Sequence, residues 1–303
     1  MTVSDNYFSG KVAVITGGSR GIGRAVAEAL VSRGCKVVIG DVLDQVGQET
    51  VNELNTRAAG VKAAAYIHTD VTVYKDVLAL FKFAESEFGG VDIAFLNAGV
   101  INKPDYMFSP LDDEAEKLLP EVNISGVVKC TRVAMLAMAK RGGGVITVTA
   151  SCAGFLGPFA QSIYNATKHA VVGWTRSLGM LKDICNVRVN AVCPHWVETD
   201  MRHKITKKGE VVVDPYPAFV QQSPTVKIDT VVSGVLSLME DESRNTETLL
   251  TLPPNILRVQ EPIQPFPEQS NPAYDQLAEQ YEKDALVYYK SLLGPALKKY
   301  EQA

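Results

Sequence analysis

The sequence has little of what metal-binding, secreted or nucleic-acid-binding chains are built from. Four histidines occur in 303 residues. The five cysteines (Cys35, Cys130, Cys152, Cys185 and Cys193) form no CxxC pair and share no paired histidine spacing. They read as reduced thiols in or near a core, so neither a metal site nor a disulfide framework is expected. Net charge is −4 and the isoelectric point is near 5.7, which leaves no electrostatic footprint for nucleic acid or an anionic membrane. No apolar run approaches the roughly 18 residues of a membrane span. The start, MTVSDNYFSGK, lacks a charged-then-apolar signal pattern, and a cytoplasmic address is expected. The sequons at Asn123 and Asn165 are then idle. Internal repeats and low-complexity tracts are also absent.

What is present is alternation. Apolar, β-rich runs at 11–16, 35–40, 62–67, 91–96, 144–149, 187–193 and 248–252 read as strands. Between them, 21–33, 43–58, 73–88, 113–141, 161–182 and 226–240 read as helices. This order predicts one doubly wound parallel sheet of about seven strands with helices on both faces, an α/β domain spanning 1–252. Pro253, Pro254, Pro262, Pro265 and Pro267 then mark an extended, non-helical connector. A last helix is predicted at 272–301, with Tyr274, Leu277, Tyr281, Leu286, Tyr288, Tyr289, Leu292 and Leu293 around one broad face. Its place is left open between its own domain, a neighbouring subunit and the mouth of an active site.

The stretch from Thr16 to Gly23, TGGSRGIG, sits between the first strand and the first helix. That is the context of a dinucleotide fingerprint. Gly17 permits the tight turn, Gly21 lets backbone approach a pyrophosphate, and Gly23 lets helix and strand pack. The free N–H groups at the helix start favour phosphate. In such sheets ligands lie beyond the carboxyl ends of the strands. Asp41 ends the second strand about 20 residues on, where an acid accepts hydrogen bonds from a ribose. Asp70 and Val71 follow the third strand, beside an adenine. Asn97, Ala98 and Gly99 follow the fourth.

The fifth strand ends in Thr149-Ala150-Ser151, and Tyr164 and Lys168 follow at helical i, i+4 spacing, on one face. Tyr7 and Lys11 match the same YxxxK pattern but precede the first strand, and read as chance. A lysine cation and a positive nicotinamide are expected to lower the phenol's pKa from near 10. Ser151 would hold the substrate oxygen, Tyr164 would move its proton, and Lys168 would clamp the nicotinamide ribose. This is metal-free hydride transfer with acid–base catalysis.

With these residues assembled, positions 8–252 resemble the short-chain dehydrogenase/reductase family. The resemblance rests on TGGSRGIG, Asp41, Asp70, LNAG at 96–99, Asn123, Ser151, Tyr164 with Lys168, and Pro194 through Thr199. It implies a Rossmann-type fold and a catalytic tetrad of Asn123, Ser151, Tyr164 and Lys168, with Asn123 anchoring a water that relays protons to Lys168. It also implies that Ser19, Arg20, Ile22, Pro194, Val197 and Thr199 join the cofactor site, and that the chain forms homodimers or homotetramers. VRVNAVCP and SLMEDES most resemble the NAD-dependent 15-hydroxyprostaglandin dehydrogenase branch. Three positions depart from the family pattern. Leu96 replaces a first asparagine, His195 replaces a glycine, and a proline connector and helix replace the glycine-rich ending. His195 is left open between a wall residue and a substrate contact.

Loops 100–111, 152–161 and 195–223 supply Tyr106, Met107, Phe108, Phe155, Leu156, Phe159, Trp196, Met201, Tyr216 and Phe219. Such a lining predicts a bulky, largely apolar secondary alcohol or ketone. Lys207 and Lys208 read as an anchor for an acidic group or as solvated loop charge. Asp41 points to NAD. Two alternatives stand beside that reading. One is an NADPH-dependent ketone reductase, since Arg20 in the glycine turn can reach a 2′-phosphate. The other is a dinucleotide-binding partner without turnover.

Overall fold

The computed structural model describes residues 7–101, 106–108, 111–157, 159–202, 215–264 and 266–303. Apolar residues on alternate positions of each strand face opposite sides, and both sides are covered. Val12 and Val14 of β1 (Val12–Thr16) join a core with α3 (Tyr74–Phe88), α5 (Val127–Arg141) and α6 (Ser162–Arg176). Ala13 and Ile15 join the opposite core with α1 (Gly21–Val31) and α2 (Asp44–Arg57). The helix Ile228–Glu240 completes that second layer. Burial on both faces is why these strands read as continuous apolar runs.

The other strands are β2 (Lys36–Asp41), β3 (Ala64–His68), β4 (Ile93–Leu96), β5 (Gly144–Thr149), β6 (Val187–Pro194), β7 (Thr248–Leu252) and β8 (Ile256–Val259). They lie in the order β3-β2-β1-β4-β5-β6-β7-β8. All neighbours pair in parallel except β7 and β8. The order reverses between β1 and β4, and a crevice opens there at the strands' carboxyl ends.

Three boundaries differ from expectation. The predicted helix 113–141 is α4 (Asp113–Pro120), a π-helical turn (Glu121–Gly126) and α5. The helix predicted at 161–182 ends at Arg176. Ser177 Oγ bonds back to Gly173 O there, and the chain turns before α7 (Leu181–Cys185). The sheet does not finish at 252, because β8 forms inside the proline-rich connector. Its prolines flank Ile256–Val259 rather than interrupt it, so the ladder to β7 stays intact.

The stretch Glu116–Arg141 is long and apolar enough to cross a membrane, contrary to the sequence expectation. Half of its most apolar window is buried inside the protein. Helix α8 (Tyr216–Gln222) follows the β6 loop, and Ile228–Glu240 is α9. The last helix, α10 (Pro272–Gln302), buries Ala285 and Tyr300 and packs on α5 and α7. Tyr274, Leu277, Tyr281, Tyr288 and Leu292 stay exposed. All five cysteines are buried and unpaired.

Candidate active site

The crevice is a cavity of about 670 Å³ bounded by the carboxyl ends of the central strands. At its floor lies the glycine turn. Gly17 has φ +64°, and a Cβ there would stand 2.8 Å from Ala98 Cα. A Cβ on Gly23 would stand 2.2 Å from Gly17 O, so only glycine lets α1 start so close to the turn. Asn97 ties the strands beneath it, donating to Gly17 O at 2.9 Å and accepting from Thr149 Oγ1 at 3.1 Å.

Asp41 ends β2 with its carboxylate already fixed. It accepts from the Ser19 N–H at 3.0 Å and the Leu43 N–H at 3.2 Å. The acid is therefore held at the edge of the glycine turn, facing the cavity it lines. Asp70 accepts from the Thr72 N–H and Oγ1, both at 2.8 Å. Arg20 reaches across the mouth to Asp200, 3.1 Å away.

The second group converges from β5, α6 and the loop after β6. Ser151 Oγ accepts from the Ala153 N–H at 3.1 Å and donates to Pro194 O at 3.4 Å. Tyr164 shares a hydrogen bond with Ser151. Lys168 Nζ stands 5.6 Å from the Tyr164 ring centroid. One turn of helix separates Tyr164 from Lys168, which places both on the cavity side of α6.

Burial raises the phenol to about 12, against the Ser151 hydrogen bond that pulls it down. Burial also lowers the lysine to about 8. The sequence reading expected a phenol already lowered by its lysine. In the protein alone desolvation dominates, because both groups sit out of water and each favours its neutral form.

Asn123 lies behind this pair, fully buried. Its Nδ2 donates to Val100 O at 2.9 Å and to Thr167 Oγ1 at 3.1 Å, and its Oδ1 accepts from the Val100 N–H at 2.9 Å. The π-helical turn widens the helix at this point and carries the amide between the β4 loop and α6. Such turns recur at functional sites.

Of the expected site residues, Gly17, Arg20, Gly21, Ile22, Asp41, Asp70, Val71, Asn97, Ala98, Gly99, Ser151, Tyr164, Lys168, Pro194, Val197 and Thr199 line the cavity. Ser19, Gly23 and Asn123 stand behind the wall as supports. The expected aromatic lining is largely corrected. Leu156, Trp196, Met201 and Tyr216 line the cavity, whereas Met107, Phe108, Phe155, Phe159 and Phe219 do not. Phe108 is 82 % exposed and packs on Phe159 at the surface. Ile101, Leu118, Val122 and Ala153 supply apolar wall instead. Lys207, Lys208 and the side chain of Tyr106 lie outside the described residues.

His195 lines the cavity, and its backbone N–H donates to Thr251 O at 3.0 Å. Sequence reasoning missed Gln161 and Arg202. Gln161 stands one turn before Tyr164, so i, i+3 spacing could have found it. Arg202 is buried and donates to Val220 O and Gln221 O, holding the end of α8 in place. Tyr7 and Lys11 are structural. Tyr7 Oη donates to Met239 O at 2.8 Å and Lys11 Nζ caps the ring at 3.2 Å, away from the cavity.

A nicotinamide dinucleotide fits the residues present. Lys168 is 4 % exposed, yet among the described residues its ammonium makes one hydrogen bond, to Thr149 O at 2.9 Å. Two N–H groups remain for a hydroxyl-bearing ligand in the cavity. A buried cation with spare donors calls for a partner.

The model of the short chain dehydrogenase family matches residues 11–210. The chain belongs to that family. It is 33% identical over 238 residues to momilactone A synthase of Oryza sativa subsp. japonica, covering 78% of this chain and 85% of that protein. It is 31% identical over 249 residues to human 15-hydroxyprostaglandin dehydrogenase [NAD(+)], covering 79% and 90%. A 2,5-dichloro-2,5-cyclohexadiene-1,4-diol dehydrogenase of Sphingobium indicum is 36% identical over 209 residues, covering 69% and 80%. A crystal structure of a short-chain type dehydrogenase/reductase from Mycobacterium marinum superposes with a TM-score of 0.71 at 26% identity, over 81% of this chain and 96% of that one. The family binds a nicotinamide dinucleotide, and this chain is an oxidoreductase of it.

Proposed function

We propose that this protein is an NAD-dependent dehydrogenase of a bulky, largely apolar secondary alcohol, with Tyr164 as general acid/base. The observation that carries the reading is the convergence of Ser151, Tyr164 and Lys168 in the cavity that Asp41 borders. When bound, the dinucleotide supplies the hydride acceptor and, oxidised, a positive ring. Gly17, Gly21 and the start of α1 hold its phosphates. Asp41 accepts from the adenosine ribose, and Asp70, Val71, Asn97, Ala98 and Gly99 border the path between the ends. Pro194, Val197 and Thr199 face the reactive end.

Ser151 orients the substrate oxygen when its hydroxyl turns from Pro194 O, 3.4 Å away, while the Ala153 N–H keeps its Oγ in place. Tyr164 takes the hydroxyl proton. Lys168 holds the ribose with its two spare N–H groups and supplies the positive charge that favours phenolate. Asn123 acts as a positioning residue, bracing Thr167 beside Lys168. Ile101, Leu118, Val122, Leu156, Trp196 and Tyr216 exclude water and fit an apolar skeleton. Two of the relatives are, by their descriptions, dehydrogenases of a hydroxyprostaglandin and of a dichlorocyclohexadienediol, which supports this substrate class.

The cofactor reading rests on Asp41. Its carboxylate is held by the Ser19 and Leu43 N–H groups at the edge of the glycine turn, and it would repel a 2′-phosphate bound beside it. Assembly into homodimers or homotetramers is supported by the exposed aromatic stripe on α10. A cytoplasmic address is supported by five unpaired cysteines.

The test is reduction of NAD and of NADP by a panel of hydrophobic secondary alcohols, with the reverse reaction on the matching ketones. NAD turnover that Tyr164→Phe abolishes is the expected result. NADP-preferring ketone reduction would favour the reductase reading. Tight cofactor binding without turnover would favour a binding partner.

A further inference from the structure

Two residues with opposite pull on cofactor choice meet at the glycine turn. Asp41 opposes a 2′-phosphate, whereas Arg20 offers one a partner. Ser19 holds the Asp41 carboxylate through its N–H, and Arg20 is the next residue, its Cα about 3.8 Å away. An arginine so placed can reach the ribose 2′ position.

In the structure it does not point there. Its Nη1 is 3.1 Å from Asp200 Oδ2, across the cavity mouth. Asp200 comes from the segment after β6, which lies against the turn. A side chain begun at Gly21 would meet Thr199 Cγ2 at 3.7 Å. Arg20 and Asp200 are each other's only salt-bridge partner among the described residues, and both line the cavity.

We propose that Asp200 is a determinant of cofactor choice acting from a distance. It holds Arg20 on the far side of the mouth and so denies NADP the cation that follows Ser19 at the glycine turn. This rests on the dinucleotide reading above. The preference for NAD then has two sources, repulsion at Asp41 and sequestration of Arg20 by Asp200. For NADP to recruit Arg20, the pair must first open. An exposed ion pair of this kind shifts an equilibrium by about fivefold at most.

The experiment measures binding of NADPH and NADH to the full-length protein by cofactor fluorescence, without turnover. The proteins are wild type, Asp200→Asn, Arg20→Gln and the double variant. Asp200→Asn should tighten NADPH about three- to fivefold and leave NADH within twofold. In the double variant the gain should vanish, because the freed arginine carries it. Equal changes for both cofactors would mean that Asp200 acts on the shared pyrophosphate end, and would overturn the proposal. No change for either would overturn it as well. Wild-type protein that binds neither cofactor would sink the dinucleotide reading itself, a different outcome from an Asp200 variant that binds both unchanged. Circular dichroism of each variant separates lost binding from lost folding.

Discussion

Lys168 is costly to fold, and replacing it tests that directly. Burial lowers its pKa from 10.5 to about 8. At 1.36 kcal/mol per pKa unit, keeping the ammonium charged at pH 7 costs about 3 kcal/mol. Methionine has a similar length and no charge. Lys168→Met forfeits the hydrogen bond to Thr149 O, worth about 1 kcal/mol. The variant should therefore be about 2 kcal/mol more stable near pH 7, and inactive.

The sign of the pH dependence follows from the depressed folded value. Between pH 8 and 10.5 the unfolded chain binds more protons than the folded one, so wild-type stability rises across that window. The penalty is about 2 kcal/mol at pH 9 and under about 1 at pH 10.5, from the same linkage. The advantage of the variant should shrink accordingly and reach zero near pH 10. Tyr164 runs the other way, since its raised pKa removes stability only between about 10 and 12. Measurements are best kept at or below pH 10. Urea unfolding of both proteins at pH 7, 8, 9 and 10 reads the difference directly. A constant difference across that range, or a variant less stable at pH 7, would refute the reasoning.

Tyr164→Phe should lower turnover by about 100- to 10,000-fold while cofactor binding, followed by fluorescence, survives. Tyr7→Phe is its control. It loses the bond to Met239 O and about 1 kcal/mol of stability, and should leave kcat unchanged. Asp41→Ala should narrow a preference for NAD over NADP of at least about tenfold, measured as kcat/KM, because about 2 kcal/mol of screened repulsion is removed. Truncation after residue 264 removes the buried Tyr300 and its helix. It should cost about 2 kcal/mol or more of stability and change the molar mass seen by light scattering, while β8 keeps the sheet intact.

The parts of this protein that were legible in the sequence are those where one residue type satisfies a local constraint. Gly17 needs positive φ and Gly23 has no room for a Cβ, so their spacing marks the turn unaided. Serine at a strand end, then tyrosine and lysine one helical turn apart, fixes three side chains against one cavity. The parts that were not legible depend on long-range placement. Phe108 and Phe159 look like lining residues in a loop, but nothing local sets which way a loop aromatic turns, and their rings meet at a tilt on the surface. Arg20 and Asp200 are 180 positions apart, and their pairing appears only when the segment after β6 crosses to the glycine turn, where Thr199 lies against Gly21. The strand β8 was hidden by its neighbours, because four apolar-rich residues between prolines read as linker. The π-helical turn at Asn123 carries no periodicity of its own and sits inside a helical pattern.

The protonation states that the protein imposes in the cleft also constrain how the proposed chemistry can work. Burial pushes Tyr164 up and Lys168 down, so each group moves toward neutrality. A neutral phenol with a pKa near 12 is a poor base for an alcohol at pH 7. Ser151 offers one hydrogen bond in the helpful direction, and this is outweighed by desolvation. The chain fixes the position of both groups, and Lys168 is the positive charge it sets beside the phenol, 5.6 Å from the ring centroid. A ligand whose hydroxyls engage the two spare N–H groups of Lys168 would favour its ammonium form, and a cationic ring beside Tyr164 would favour phenolate. Under the proposed reading, then, the base is made by the loaded cleft, and the alcohol meets a competent phenolate only after the dinucleotide is in place.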